Sequence, residues 1–178
     1  SQRTGMAFSS PGDLVVLLGA AALSGDPSSM AGSEYMDLIH GEVAGNPGID
    51  LELEVAVQRA CRRLVREGIA RSAHDVSEGG LAVALAESCI LGGVGFELAA
   101  ELPDRWDAAL FGEPQSLIAV SVAPDAVSRV AEVASEEGVP FITLGTVGGS
   151  AIKLGNSASI SVEELSDAWY GGIERHVS

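Results

Sequence analysis

Ala73-His74-Asp75-Val76-Ser77-Glu78-Gly79-Gly80-Leu81 limits what this chain can become more than any other stretch. It joins a short extended segment, Ile69-Ala70-Arg71-Ser72, to an apolar helical pattern that starts at Leu81. The spacing predicts a strand, a tight turn and a helix in direct succession. His74 and Asp75 fall in the turn, and Ser77 is placed to cap the helix. The Gly79-Gly80 pair lets another backbone or a ligand come close. An imidazole, a carboxylate, a hydroxyl and the free N–H groups of a helix start are thus gathered within one turn. Such a group suits a phosphate or a metal–phosphate. It equally suits a structural corner held by its own hydrogen bonds.

A corner of that kind needs a core to sit on. Of 178 residues, 47 % are apolar and only 4 % aromatic, so one sizeable core of Ala, Val, Leu and Ile is expected. The formal net charge of −15 argues against nucleic acid and anionic membrane as partners, because both require a basic surface. No apolar run reaches membrane-spanning length, and Ser1-Gln2-Arg3 does not open a signal peptide. Cys61 and Cys89 fall on apolar helix faces, as reduced, packed thiols of a cytoplasmic protein would. No Cys/His spacing matches a zinc site.

Residues 1–12 lack periodicity and end in Ser9-Ser10-Pro11-Gly12; they read as a linker or the end of a preceding domain. Leu14 to Leu18 is a buried strand, Ser24 to Ser29 a loop, and Tyr35 to Ile39 a short helix. Asp50 caps a strong helix whose stripe is Leu53, Val57, Ala60, Cys61, Leu64 and Val65, and Gly68 ends it. After the helix from Leu81 to Leu91, Val94, Phe96 and Leu98 alternate as a strand, and Leu117 to Val122 is another. Pro124 opens a helix that turns Val127, Val130, Ala131 and Ala134 inward. Phe141 to Val147 is a strand, Gly148-Gly149 a turn, and Ser161 with Glu164 a capping box for a last helix carrying Trp169. The expected architecture is an α/β (α+β) sandwich, a mixed sheet with helices packed on it, spanning residues 13–150. Residues 151–178 form a strand-and-helix extension.

Three segments occur together: Ala31-Gly32-Ser33-Glu34-Tyr35, then Ser72 to Ala82, then Leu110-Phe111-Gly112-Glu113-Pro114-Gln115-Ser116. In this order they resemble the C-terminal domain of the phosphoribosylformylglycinamidine (FGAM) synthases, within the wider AIR synthetase superfamily. The resemblance runs from about residue 11 to 150, and the last helix also fits. Two departures stand out. Ala31 replaces a second glycine before Gly-Ser-Glu-Tyr, and Leu117 stands where the third segment usually has an arginine. Without that arginine the segment loses its one fixed positive charge.

The resemblance implies an AIR synthetase C-terminal domain-like fold and a share in an ATP-dependent C–N ligase of purine biosynthesis. The family converts formylglycinamide ribonucleotide (FGAR) to the amidine with ammonia, using ATP and Mg²⁺. It implies that these cofactors belong to the full-length enzyme and that this piece alone binds neither fully. The implied partners are the N-terminal domains of the same synthetase, a glutaminase subunit and a small accessory subunit; a homodimer of the fragment is a further expectation. The chain would match the C-domain of the second of two fused copies, where the nucleotide place is a pseudo-site. No catalytic role or metal ligand is therefore carried over. Ser33, Glu34, His74, Asp75, Ser77, Gly79, Gly80, Glu113 and Gln115 are the candidate ligand-binding residues. Each also has a structural reading: a cap for Ser77, tight packing for the glycines, a hydrogen-bonded corner for His74 and Asp75. His40 is expected at the surface and His176 in a tail. A small-molecule kinase of the same superfamily and a non-catalytic scaffold are the competing readings.

Overall fold

The computed structural model describes residues 3–155 and 158–177, with side chains through Gly172. Its elements are β1 (Leu14–Leu18), α1 (Glu34–His40), α2 (Leu51–Arg66), β2 (Ser72–Asp75), α3 (Gly80–Gly92), β3 (Phe96–Leu98), α4 (Trp106–Phe111), β4 (Ile118–Val122), α5 (Val127–Glu137), β5 (Phe141–Val147), β6 (Ala151–Leu154), β7 (Ala158–Ser161) and α6 (Val162–Val177). The seven strands form one sheet in the order β2-β4-β1-β5-β3-β6-β7. Every pairing is antiparallel except β3 with β6. The mixed α+β sandwich expected from the pattern of elements is therefore what forms.

β1 is an inner strand, between β4 and β5. That explains its unbroken apolar run: both faces are covered, so no position is free to be polar. Val16 and Leu18 join one core with Ala56, Val57, Ala60 and Leu64 of α2 and Val130, Val133 and Ala134 of α5. Val15 and Leu17 join the opposite core with Leu81, Leu85 and Cys89 of α3, Phe96 and Leu144. Burial pushes the Cys89 thiol up to about 12, as for an inert packed side chain. The inward face of α5 includes Val133, and Ala131 is only half-buried.

The N-terminal segment is part of this packing. Phe8 is buried to 2 % exposure, tilts against Phe96 and sends its N–H to the Ser88 carbonyl. The Ala73 N–H binds the Gly5 carbonyl, so residues 4–5 run beside β2. Asp13 is also buried; its Oδ1 accepts from Arg71 Nη1 at 2.6 Å, while Oδ2 has no partner among the described residues. Desolvation lifts the Asp13 carboxyl above its usual range, and the Arg71 guanidinium offsets that only in part.

Several local signals act as expected. Asp50 Oδ1 accepts from the N–H groups of Glu52 and Leu53, and Ser161 and Glu164 form a reciprocal capping box. Gly68 takes φ 73° after α2. The strand expected at Ile69–Ser72 instead begins at Ser72. The N–H groups of Ile69 and Ala70 are still bound to the Leu64 carbonyl, so pairing with β4 cannot begin until Arg71 reaches Ser121. The loop expected at 24–29 runs into a 3-10 turn, Pro27–Met30, and α4 had no counterpart in the sequence pattern. His40 is exposed and lies edge-on to Tyr35. His176 falls on the backbone of α6, not in a tail, and its side chain lies outside the described ones.

Candidate functional site

Because β2 extends to Asp75, His74 and Asp75 close a strand and do not sit in the turn after it. β2 pairs with β4, and strand alternation sends successive side chains to opposite faces. His74 turns inward, its side chain 9 % exposed, and Asp75 turns to solvent at 75 %. The His74 ring donates from Nδ1 to the Asp75 carbonyl at 2.7 Å and faces Glu87 Oε2 with Nε2 at 2.6 Å. The corner is thus held by the ring and by Glu87 of α3. In the hydrogen-bonded corner expected of His74 and Asp75, the Asp75 carboxylate takes little part: it lies 3.8 Å from His74 Nδ1 and is otherwise exposed.

Ser77 does not cap α3. The cap position is Gly79 at φ 80°, no side chain of its own caps the helix, and Gly80 follows at φ 72°. Two consecutive left-handed residues swing the chain so that Ser77 stays outside, exposed, with only its carbonyl receiving the Gly80 N–H. The acceptor comes from another segment. Glu113 Oε1 takes the Gly79 N–H at 2.8 Å and the Glu34 N–H at 2.9 Å. One carboxylate therefore closes the starts of both α3 and α1. Helix starts leave donors unsatisfied and carry partial positive charge, so an anion there is stabilising.

The rest of the corner serves that joint. The Glu113 N–H donates to the Ser29 carbonyl, and Ser29 Oγ reaches the Ala108 carbonyl. Ser33 is buried to 1 %, caps α1 through Met36 N–H and donates to the Met30 carbonyl. A Cβ on Gly80 would stand 2.6 Å from the Gly112 carbonyl oxygen, so the glycine there permits tight packing of α3 on the end of α4. Tyr35 stacks on Phe111 at 5.2 Å. Gln115 is exposed and makes only a long contact, 3.5 Å, to the Glu113 carbonyl.

The candidate residues thus divide. Ser33, Glu34, Gly79, Gly80 and Glu113 come together, Gln115 lies at their edge, His74 packs behind on α3, and Asp75 and Ser77 point away. Sequence reasoning missed Glu87, Ser29 and the left-handed Ser116 at φ 65°. Glu87 had a signal: it is the one charged residue in α3. Ser29 and Ser116 had none.

Beside the joint is a cavity of about 320 Å³ between Gly19–Ser29, Pro47-Gly48 and Glu113–Leu117. Its charged lining residues are Asp26 and Glu113, with Ser24, Ser28, Ser29 and Gln115 as neutral polar groups and, among the described residues, no lysine or arginine. Among the described residues no group of three or more His, Cys, Asp and Glu is placed to hold a metal. Two carboxylates without a lysine or arginine do not fit a bare triphosphate, and no chemical step is assigned to nucleotide within this chain.

Residues 10–154 match the family model described as AIR synthase related protein, C-terminal domain. The chain belongs to that family. A phosphoribosylformylglycinamidine synthase subunit PurL from Anaeromyxobacter sp. (strain Fw109-5) is 43 % identical over 178 residues, covering 94 % of this chain and 23 % of the relative. The PurL subunit of Thermobifida fusca (strain YX) is 43 % identical over 173 residues, covering 94 % and 22 %. The chain thus spans less than a quarter of the length of these relatives. Among solved structures, T. maritima PurL complexed with FGAR has a TM-score of 0.76 at 22 % identity, covering 93 % of this chain and 29 % of that one. E. coli HypE, a hydrogenase maturation protein, has a TM-score of 0.58 at 14 % identity, covering 89 % and 51 %. At these identities the structural likeness speaks to the fold alone.

Proposed function

We propose that this chain is the C-terminal domain of the second half of an FGAM synthase large subunit, and that it acts there as a structural domain. The full enzyme would convert FGAR to formylglycinamidine ribonucleotide with ATP, Mg²⁺ and ammonia, in the cytoplasm. ATP and metal would be held by its other domains. The glutaminase and small accessory subunits would be partners of the whole assembly; one fold neighbour is titled the structure of PurLQS from Thermotoga maritima.

The observation that carries the structural role is the Glu113 joint. In a phosphate site the donors at a helix start are left open to the ligand. Here the Gly79 and Glu34 N–H groups already converge on a side chain of the same chain. The close relatives support the enzyme assignment, and the lining without cations supports the absence of turnover in the piece alone.

FGAR-dependent ATP hydrolysis, measured with ammonia supplied, tests the reading. The 178-residue chain is expected to match a mock preparation, and the full-length polypeptide to turn over. Turnover by the chain alone would sink the structural role. Inactivity of a folded, full-length polypeptide would sink the enzyme assignment.

A further inference from the structure

Glu87, Ile90 and Leu91 share one face of α3, at spacings of three and four residues. Two other segments meet that face. α6 packs on α3 and brings Trp169 beside it. The N-terminal segment brings Met6, which is anchored on either side: the Gly5 carbonyl accepts the Ala73 N–H, and the Phe8 N–H donates to the Ser88 carbonyl. Between the three segments lies a cavity of about 200 Å³, lined by Met6, Glu87, Ile90, Leu91 and Trp169. It shares no lining residue with the cavity beside the Glu113 joint. Pockets for drug-sized ligands run to about 300–1,000 Å³, so a smaller molecule fits here. Four of the five lining residues are apolar, and Met6, Leu91 and Trp169 are 42, 53 and 51 % exposed, so much of their apolar surface is not taken up by the domain's own core.

Glu87 is the one polar group in this lining, and its surroundings decide what it can take. His74 Nδ1 donates to the Asp75 carbonyl, and His74 Nε2 faces Glu87 Oε2 at 2.6 Å. Both groups facing the ring are acceptors, so one proton lies between Nε2 and Oε2. Glu87 Oε1 is then an acceptor with no partner among the described residues. It calls for a donor, and a cationic donor gains most. A charge-assisted hydrogen bond is about twice as strong as a neutral one, and an aromatic wall such as Trp169 attracts a cation. The Asp75 carboxylate, 3.8 Å from the far side of the His74 ring, adds to the negative potential. Among the described residues no lysine or arginine lines the cavity to compete. The apolar walls ask for a hydrocarbon stem behind the charge. We propose that this cavity binds a small primary amine with an apolar stem, its ammonium donating to Glu87 Oε1 and its stem lying against Met6, Leu91 and Trp169.

Trp106 and Trp169 are the two tryptophans of the chain, so ¹⁵N-resolved spectra carry one indole N–H signal from each, assigned with Trp106→Phe. The probe is n-butylammonium, with n-butanol as its uncharged counterpart and butyrate as its opposite. The amine is expected to shift the Trp169 signal saturably and leave Trp106 in place. The alcohol should bind several-fold more weakly, and butyrate should give no shift. Glu87→Gln should bring the amine down to the affinity of the alcohol. Because that change also touches the His74 corner, Leu91→Lys is measured beside it. Leu91 is already half in water, so this variant should keep the wild-type melting midpoint while its own ammonium displaces the probe. Equal binding of amine and alcohol overturns the proposal, and so does saturable amine binding that survives both substitutions. A lysine side chain offers the same chemistry from a protein. Weaker binding of Nα-acetyl-lysine methylamide than of the free amine supports a small-molecule site. Tighter binding would assign the cavity to a protein lysine and overturn the proposal.

Discussion

The two faces of the sheet are fastened by different means. Over one, α2 and α5 bury a common core, and outside it runs a network of ion pairs: Arg59 with Glu137, Arg63 with Glu67 and Glu136, Arg129 with Glu67 and Glu132. Over the other, α3 buries its own core but has no side-chain cap of its own, and among the described hydrogen bonds Glu113 joins it to the start of α1. The first arrangement is redundant. Each pair is partly solvated and worth little, and the loss of one leaves the others. The second is singular, because one acceptor serves two backbone donors, the part-buried Gly79 N–H and the exposed Glu34 N–H. Substitutions should therefore be absorbed on the α2/α5 face and felt on the α1/α3 face.

The strongest challenge to that contrast is Gly80→Ala. The new Cβ would meet the Gly112 and Leu110 carbonyl oxygens at 2.6 and 2.8 Å, in a backbone held at φ 72°. A loss of about 3 kcal/mol is expected in denaturant melts. A variant as stable as the wild type would mean that α3 and α4 are not tightly joined.

Glu113→Ala comes next, at about 1 kcal/mol for the lost acceptor of the part-buried Gly79 N–H and the exposed Glu34 N–H. Glu113→Gln should cost less, since an amide oxygen still accepts, and formate in the buffer should recover part of the Ala loss. Asp75→Ala should stay within about 0.5 kcal/mol, as exposed positions do. If Asp75→Ala proved as costly as Glu113→Ala, the joint would have been placed on the wrong carboxylate.

These contrasts also show what could be read from the sequence. The Asp50 cap, Gly68 after α2, the Ser161–Glu164 box and the Phe141–Val147 strand were legible because each depends on neighbours within a few residues. The Glu113 joint was not, because Glu113 lies 34 residues from Gly79 and 79 from Glu34. Ser77 looked like a cap by local rules, which see no distant acceptor that could do the work instead. The three segments could be picked out as a group, but not which atom among them accepts.

Asp13, just before β1, gives a pH-dependent test. Its carboxyl is raised in the fold, so the folded state binds its proton more tightly than the unfolded state does. Stability from this group is greatest below the unfolded value of 3.8 and falls as pH rises through the folded value. Asp13→Asn should therefore gain on the wild type as pH climbs from that point. A difference that shrinks with rising pH would mean that the Arg71 pairing outweighs desolvation.

The smallest effect belongs to the redundant face. Arg129 and Arg63 hold the Glu67 carboxyl down to about 2 from 4.5. Its contribution is present above the unfolded value and is lost as pH falls toward the folded one. Glu67→Gln should flatten that acid limb slightly, and added salt should weaken the wild-type effect. A loss rivalling that of Glu113→Ala would erase the distinction between the faces.

The inner place of β1 has a consequence for how the chain is made. Leu14 pairs with Val122 on one side and Thr146 on the other. β1 is thus made before either of the strands that flank it, and it waits for about a hundred more residues, roughly 5–20 s at ordinary elongation rates. Phe8 waits in the same way for Phe96. During that interval the most apolar run of the protein has no neighbour on either edge. Protection during synthesis is therefore needed most while β1 is still unpaired, by chaperones or by segments already folded.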